Sequence, residues 1–276
     1  MSAVLRCGDR RLELTRPVVM GVLNVTADSF ADGGRYLDLG AAIERAERMV
    51  ADGAAIVDVG GESTRPGAAP VPLDEELRRV LPVVRHLAEV PVVVSVDTSK
   101  PEVMRAAIDA GAGLVNDVRA LQAPGALEAV ARGGAGICLM HMQGEPATMQ
   151  QAPAYGDVVT EVKAFLEARV QACTAAGIGA ERICVDPGFG FGKTLEHNLQ
   201  LLRALPQLGV AGRPVLVGLS RKSMLGALIR RPVEERLAGS LALALWALQG
   251  GARIIRTHDV GPTRDALSVW TAVSGG

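Results

Sequence analysis

Short apolar runs rich in β-branched residues recur along the whole chain. They occupy 18–23 (VVMGVL), 55–59 (AIVDV), 92–96 (VVVSV), 113–118 (GLVNDV), 136–140 (GICLM), 182–186 (RICVD), 214–219 (PVLVGL) and 252–256 (ARIIR). Their length and their bounding glycines, prolines and polar residues predict eight strands. Segments 39–52, 73–89, 100–110, 157–176 and 233–249 lie between them, with apolar residues at helical spacing. Gly53, Gly111, Gly177 and Gly250 fall where those helices must end, and each is expected to take a left-handed cap before the next strand. The opening segment 4–16, with Gly8-Asp9 between two alternating runs, predicts a hairpin. Eight alternations of strand and helix predict a parallel sheet closed into a (β/α)₈ barrel, preceded by that hairpin, as one domain over 1–276. An open doubly wound sheet is the rival, but the glycine-rich dinucleotide fingerprint it normally carries is missing.

Polar residues sit at the strand ends: Asn24, Asp58, Asp97, Asn116, His141, Asp186, Arg221 with Lys222, and Arg256 with His258. In a barrel all these ends face one mouth, where such folds place ligands and catalysis. Each one alone would read as a helix cap or a solvated loop residue. Eight in register point to a site.

Composition narrows the partners. Hydrophobic residues make up 49% of the 276 and aromatics only 3%, so the core must be aliphatic, as in parallel sheets covered by helices. The net charge of −1 supplies no field to draw nucleic acid or anionic lipid, so any anionic ligand must be held locally. Cys7, Cys138, Cys173 and Cys184 have no metal-type or redox spacing; Cys138 and Cys184 read as core residues of a reduced, cytoplasmic protein. The first residues form no signal-peptide core, and no apolar stretch is long enough to span a bilayer. His86 and His197 lack ligand spacing, and Glu44, Glu47 and Arg48 read as a solvated helix face. The apolar run 237–248 reads as a buried helix.

Several segments carry a specific likeness. The stretches 20–34 (MGVLNVTADSFADGG) and 57–67 (VDVGGESTRPG) resemble the two opening signatures of the dihydropteroate synthases. Segments 95–98, 115–118, 139–149, 185–193 (VDPGFGFGK), 218–226 (GLSRKSMLG) and 255–260 (IRTHDV) continue the resemblance in the family's order, from about residue 18 to about 265. The family's activity joins 6-hydroxymethyl-7,8-dihydropterin pyrophosphate to p-aminobenzoate with loss of pyrophosphate. Residue chemistry is compatible with that: an ionised carboxylate suits the paired N–H donors of a pterin edge, and a diphosphate needs cations and donors.

The resemblance assigns Asp97, Asn116, Asp186 and Lys222 to the pterin, with Met140 and Phe191 as its walls. Asn24, Thr64, Arg65, Arg256 and His258 go to the pyrophosphate, Asn24 also to Mg²⁺. Phe30, Pro66, Arg221 and Ser223 go to p-aminobenzoate or a sulfonamide, and Ser223 begins a predicted helix whose N–H groups suit a carboxylate. Asp32 and Arg65 join Asp97 and Lys222 as the catalytic set, in loops 25–36 and 60–72 that close over the substrates. The family is commonly homodimeric. One departure is Ala27, where the family most often has Pro in the first loop.

The implied reaction is dissociative substitution at the pterin's exocyclic CH₂, with no strong general base, since an aryl amine is neutral near pH 7. Two other readings remain open at this point. A pterin-dependent methyltransferase would share Asp97, Asn116 and Asp186 but not the anion site. A silent pterin-binding module would be expected to lose Asp32, Arg65, Lys222 and Arg256, all of which are present.

Overall fold

The structure is a computed structural model that describes residues 4–25, 35–64 and 67–275. Eight strands form one parallel sheet: β3 (Val18–Asn24), β4 (Ile56–Gly60), β5 (Val93–Asp97), β6 (Leu114–Asp117), β7 (Gly136–Met140), β8 (Ile183–Asp186), β9 (Leu216–Gly218) and β10 (Ile254–Thr257). Each predicted strand is found, shifted by at most two residues. The last strand, β10, lies between β9 and β3, and one bridge between Val185 and Val215 joins β8 to β9, so the eight strands close into a barrel.

Nine α-helices connect and follow the strands among the described residues: α1 (Arg35–Ala51), α2 (Leu73–Ala88), α3 (Pro101–Asp109), α4 (Ala126–Gly133), α5 (Val158–Ala175), α6 (Leu195–Arg203), α7 (Ser223–Ile229), α8 (Leu237–Gln249) and α9 (Val260–Ser274). Strand residues facing the helices are Val, Leu and Ile in the main, and with the helices' inner faces they make the larger core: Val57, Val59, Val94, Val96, Val115 and Ile137 are buried in it.

The predicted hairpin is β1 (Val4–Cys7) paired antiparallel with β2 (Arg10–Glu13). Its Leu5, Cys7 and Leu12, with Leu14 just beyond, pack on Met20, Ile56, Val93, Leu114, Cys138, Cys184, Leu216 and Ile254. Those eight come from the beginnings and middles of the strands, so the hairpin plugs the N-terminal end of the barrel and leaves the C-terminal end for chemistry. All four cysteines are free and buried. Burial pushes the thiols of Cys7 and Cys173 well above the ordinary range, which keeps them protonated and unreactive.

Two expectations need correction. Gly53, Gly111 and Gly177 do have positive φ, but Gly250 does not; its neighbour Gly251 takes the left-handed position, at φ 93°. Helix α8 is not buried on all sides: Ser240, Ala244, Ala247 and Leu248 face the core, whereas Trp246 is 53% exposed. The sequence of α8 is so uniformly apolar that its period does not reveal which face turns inward. No helix among the described residues is long and apolar enough to cross a membrane.

Candidate active site

The inner faces of the strands change character toward their C-terminal ends. Below, the inward positions are Ile56, Val93, Leu114 and Ile254; two residues further on they are Asp58, Ser95, Asn116 and Arg256. The period-two alternation of a strand carries each polar side chain inward directly above an apolar one.

Asp58 is the hub of this layer. It is fully buried, and it accepts hydrogen bonds from Ser95 Oγ at 2.6 Å, Asn116 Nδ2 at 3.0 Å and Arg256 Nε at 2.7 Å. Arg256 also donates through Nη2 to Asp97 Oδ2 at 2.7 Å. Burial works against the Arg256 cation, but the Asp58 and Asp97 carboxylates more than offset it and raise its pKa. Burial drives Asp97 up to about 7, with Arg256 pulling down and Asp58 pushing up.

The network fixes the orientation of Asn116. Its amide nitrogen faces Asp58, so Oδ1 faces away, buried and without a hydrogen-bond partner among the described residues. A buried acceptor left unpaired costs free energy that a ligand donor recovers.

Across the mouth, Asp186 ends β8 and accepts from the Gly188 N–H at 2.7 Å through one oxygen. Burial raises its pKa against the lowering influence of Lys222. Lys222 donates to the Phe189 carbonyl and stands over the Phe191 ring, 4.8 Å from its centroid. Burial lowers Lys222 to about 8 despite Asp186. Two glycines leave room between these groups: a Cβ on Gly218 would lie 3.8 Å from both Lys222 Nζ and Arg256 Cβ, and one on Gly60 would lie 3.5 Å from Asp97 Cβ. Carboxylates and one unpaired amide carbonyl thus converge at this end of the barrel, with Met140 at the end of the strand beside Asp186.

Asp97, Asn116, Asp186, Lys222, Met140 and Phe191 are therefore brought to one mouth, as expected. Arg256 reaches it too, but it is turned inward onto two aspartates, and only Nη1 lacks a partner among the described residues. Asn24 ends β3, level with Gly60, and its side chain makes no hydrogen bond among the described residues. His258 lies just past the end of β10, its ring and backbone N–H on Ser220 Oγ, both at 3.2 Å. Thr64 is half-buried at the start of the second loop. Asp259 is paired with Arg221, not with Arg256, at 2.5 and 2.9 Å. The Arg221 guanidinium is thereby committed, while Ser223 is exposed at the first turn of α7. Phe30, Asp32, Arg65 and Pro66 lie outside the described residues.

The sequence places Asp58 at the mouth without a specific role, and it singles out neither Ser95 nor Lys193. Asp58 carries a signal: a lone carboxylate inside a buried apolar strand must have partners. Which partners they are is set by contacts 37, 58 and 198 residues away along the chain. His86 and His197 are structural: the first pairs with Glu47, and the second completes a capping box with Thr194. A cleft of about 500 Å³ near α9, lined by residues such as Arg16, Val19, Arg264 and Leu267, lacks any such converging polar network.

The family model described as "pterin binding enzyme" matches residues 20–258. The dihydropteroate synthase of Escherichia coli K12 is 53% identical over 259 residues, covering 94% of this chain and 92% of its own. The chain belongs to the dihydropteroate synthase family. Two solved members place it structurally. The Xanthomonas albilineans enzyme with 4-aminobenzoic acid has a TM-score of 0.94 at 52% identity, covering 100% of both chains. The Burkholderia cenocepacia enzyme complexed with 7,8-dihydropteroate has a TM-score of 0.91 at 55% identity, covering 99% of this chain and 97% of that one.

Proposed function

We infer that the chain condenses 6-hydroxymethyl-7,8-dihydropterin pyrophosphate with p-aminobenzoate to give 7,8-dihydropteroate and pyrophosphate, an alkyl transfer of folate biosynthesis. The observation that carries the site reading is the unpaired, buried Oδ1 of Asn116 beside Asp58 and Asp97. It calls for a ligand donor at the place where the family binds a pterin.

Asp186 accepts from the pterin's paired N–H groups, Asn116 Oδ1 from another ring donor, and Lys222 donates to a ring acceptor, with Met140 and Phe191 as walls. Asp97, held by Arg256, faces positive charge as it grows on the pterin when the C–O bond to the diphosphate lengthens. His258, Thr64, Arg65, Asn24 and the spare nitrogen of Arg256 surround the departing diphosphate. Phe30, Pro66, Arg221 and Ser223 bound p-aminobenzoate, or a sulfonamide of similar shape, with Asp32 contributing from the first loop. Arg221 must then act through its pairing with Asp259, which leaves the carboxylate to Ser223 and the start of α7.

Among the described residues no group of three carboxylate, histidine or cysteine side chains could hold a metal. The Asn24 side-chain oxygen would be the protein's contribution to a Mg²⁺ ion brought with the diphosphate, a neutral donor where this cation more often takes a carboxylate. Bound in that way, the ion supplies positive charge to the leaving group. The exposed apolar residues Leu228, Val233 and Trp246, on and between α7 and α8, support a homodimer through these helices. No helix of the described part would hold the chain in a bilayer, and a cytoplasmic location agrees with this.

The test is direct. Purified protein given both substrates and Mg²⁺ should release pyrophosphate and form 7,8-dihydropteroate, with no release when p-aminobenzoate is omitted. A methyltransferase or a silent pterin-binding module would yield neither product.

A further inference from the structure

The segment from β8 to α6 alternates glycine with larger residues, and Gly188, Gly190 and Gly192 all have positive φ (70°, 79° and 61°). A Cβ on Gly188 would overlap the His141 carbonyl oxygen, and one on Gly192 would overlap that of Gln143. The segment therefore lies flat on the backbone that leaves β7. Gln150 Nε2 and the Tyr155 hydroxyl donate to its Gly190 and Gly192 carbonyls, and two ammonium groups take three more. Lys193 Nζ donates to Gly188 O at 2.9 Å and to Phe191 O at 3.0 Å. It also meets His141, with Nδ1 at 2.9 Å and the backbone carbonyl at 3.4 Å. Lys222 takes the intervening carbonyl, that of Phe189, and faces the Phe191 ring.

Lys193 is 3% exposed, and its ammonium donors are already taken by protein groups, so it is not offered to a ligand in the barrel mouth. A buried ammonium is unfavourable unless its donors are satisfied, and here every contact is to the one segment and to His141. Burial, and then the Lys193 charge, take His141 down to about 3. The imidazole is thus neutral, and Nδ1 is free to accept from the ammonium.

We propose that Lys193 is a positioning residue: it binds the carbonyls of Gly188 and Phe191 against His141, and so holds Phe189 and Phe191 where they seat Lys222 beside Asp186. Phe189 anchors the segment in the core, but the glycines beside it have no side chain to pack, and a buried multidentate donor fixes their backbone. This rests on the reading of Asp186 and Lys222 as pterin contacts.

Calorimetric titration with the pterin pyrophosphate tests it. Lys193→Met should weaken binding about tenfold, the size of a lost charge-assisted hydrogen bond, and leave the KM for p-aminobenzoate at saturating pterin unchanged. In a cycle with Lys222→Ala the losses should not add: the double variant should bind about as weakly as Lys222→Ala alone. Wild-type affinity in Lys193→Met, or losses that add in full, would overturn the proposal. If Lys193→Met does not fold, Lys193→Gln, which keeps two N–H donors, takes its place with the same outcomes and a smaller loss. Asp186→Asn measured alongside separates the two readings. Unchanged affinity there removes the pterin site itself, whereas a loss there without one at Lys193 removes only the positioning role.

Discussion

Asp97 stands under opposed influences: burial and the Asp58 carboxylate favour its protonated form, and Arg256 favours the charged one. Its folded-state value of about 7 lies above the roughly 3.9 of an unfolded chain. Between those values the folded protein holds a proton that the unfolded chain has lost, so this residue's contribution to stability is fully present below about pH 4 and is lost as pH rises through 7. Asp186 is shifted the same way, so the comparison must be with a variant that changes Asp97 alone. The difference in Tm between wild type and Asp97→Asn should move against the wild type from pH 5 to pH 8. A difference that stays flat across that window would show that Asp97 is ionised throughout. Arg256 is the residue least readable in advance. Its position after an apolar run placed it at the mouth, but its partners Asp58 and Asp97 are 198 and 159 residues away. An arginine free for an anion and one locked between aspartates look the same in sequence.

Strands were the most legible elements, because a buried parallel strand needs an apolar, β-branched run on both faces and little else in this chain has one. Helices were less so: α4, α6 and α9 are short or have weakly patterned faces, and none was delimited. The Gly250-Gly251 pair offered two residues able to adopt positive φ, and only the local geometry decides between them. The hairpin was read from its turn, but its purpose lies in packing. Leu5 is fully buried under the barrel's apolar lower layer, far from the polar upper one. Leu5→Ala should therefore lower the free energy of unfolding by about 2–5 kcal/mol, as expected for a large buried side chain removed from a packed core. The KM values for both substrates should not change. Urea denaturation together with steady-state kinetics checks both halves, and a loss below about 1 kcal/mol would mean that the hairpin is not part of the core.

The whole molecule divides its labour by height along the barrel: hairpin and apolar layer below, charged layer above. Three carboxyl groups (Asp58, Asp97, Asp186) and three basic groups (Lys193, Lys222, Arg256) share the upper part, and burial brings both Asp97 and Lys193 to about 7, so each is only part-charged near neutrality. The motif order along the chain made the family and the mouth visible; the pairing within the mouth was not, because it depends on which strands become neighbours and at what register. In the proposed function this upper layer seats a pterin through the Asp186 carboxylate. Asp186→Asn keeps the shape and can still accept from the Gly188 N–H, but it removes the charge and replaces one acceptor with a donor. Titrating the dihydropterin pyrophosphate into wild type and Asp186→Asn by calorimetry is the most direct measurement. A pterin held by this carboxylate should bind at least about tenfold more weakly to Asp186→Asn, the loss of one or more charge-assisted hydrogen bonds; equal affinity in the two proteins would contradict it.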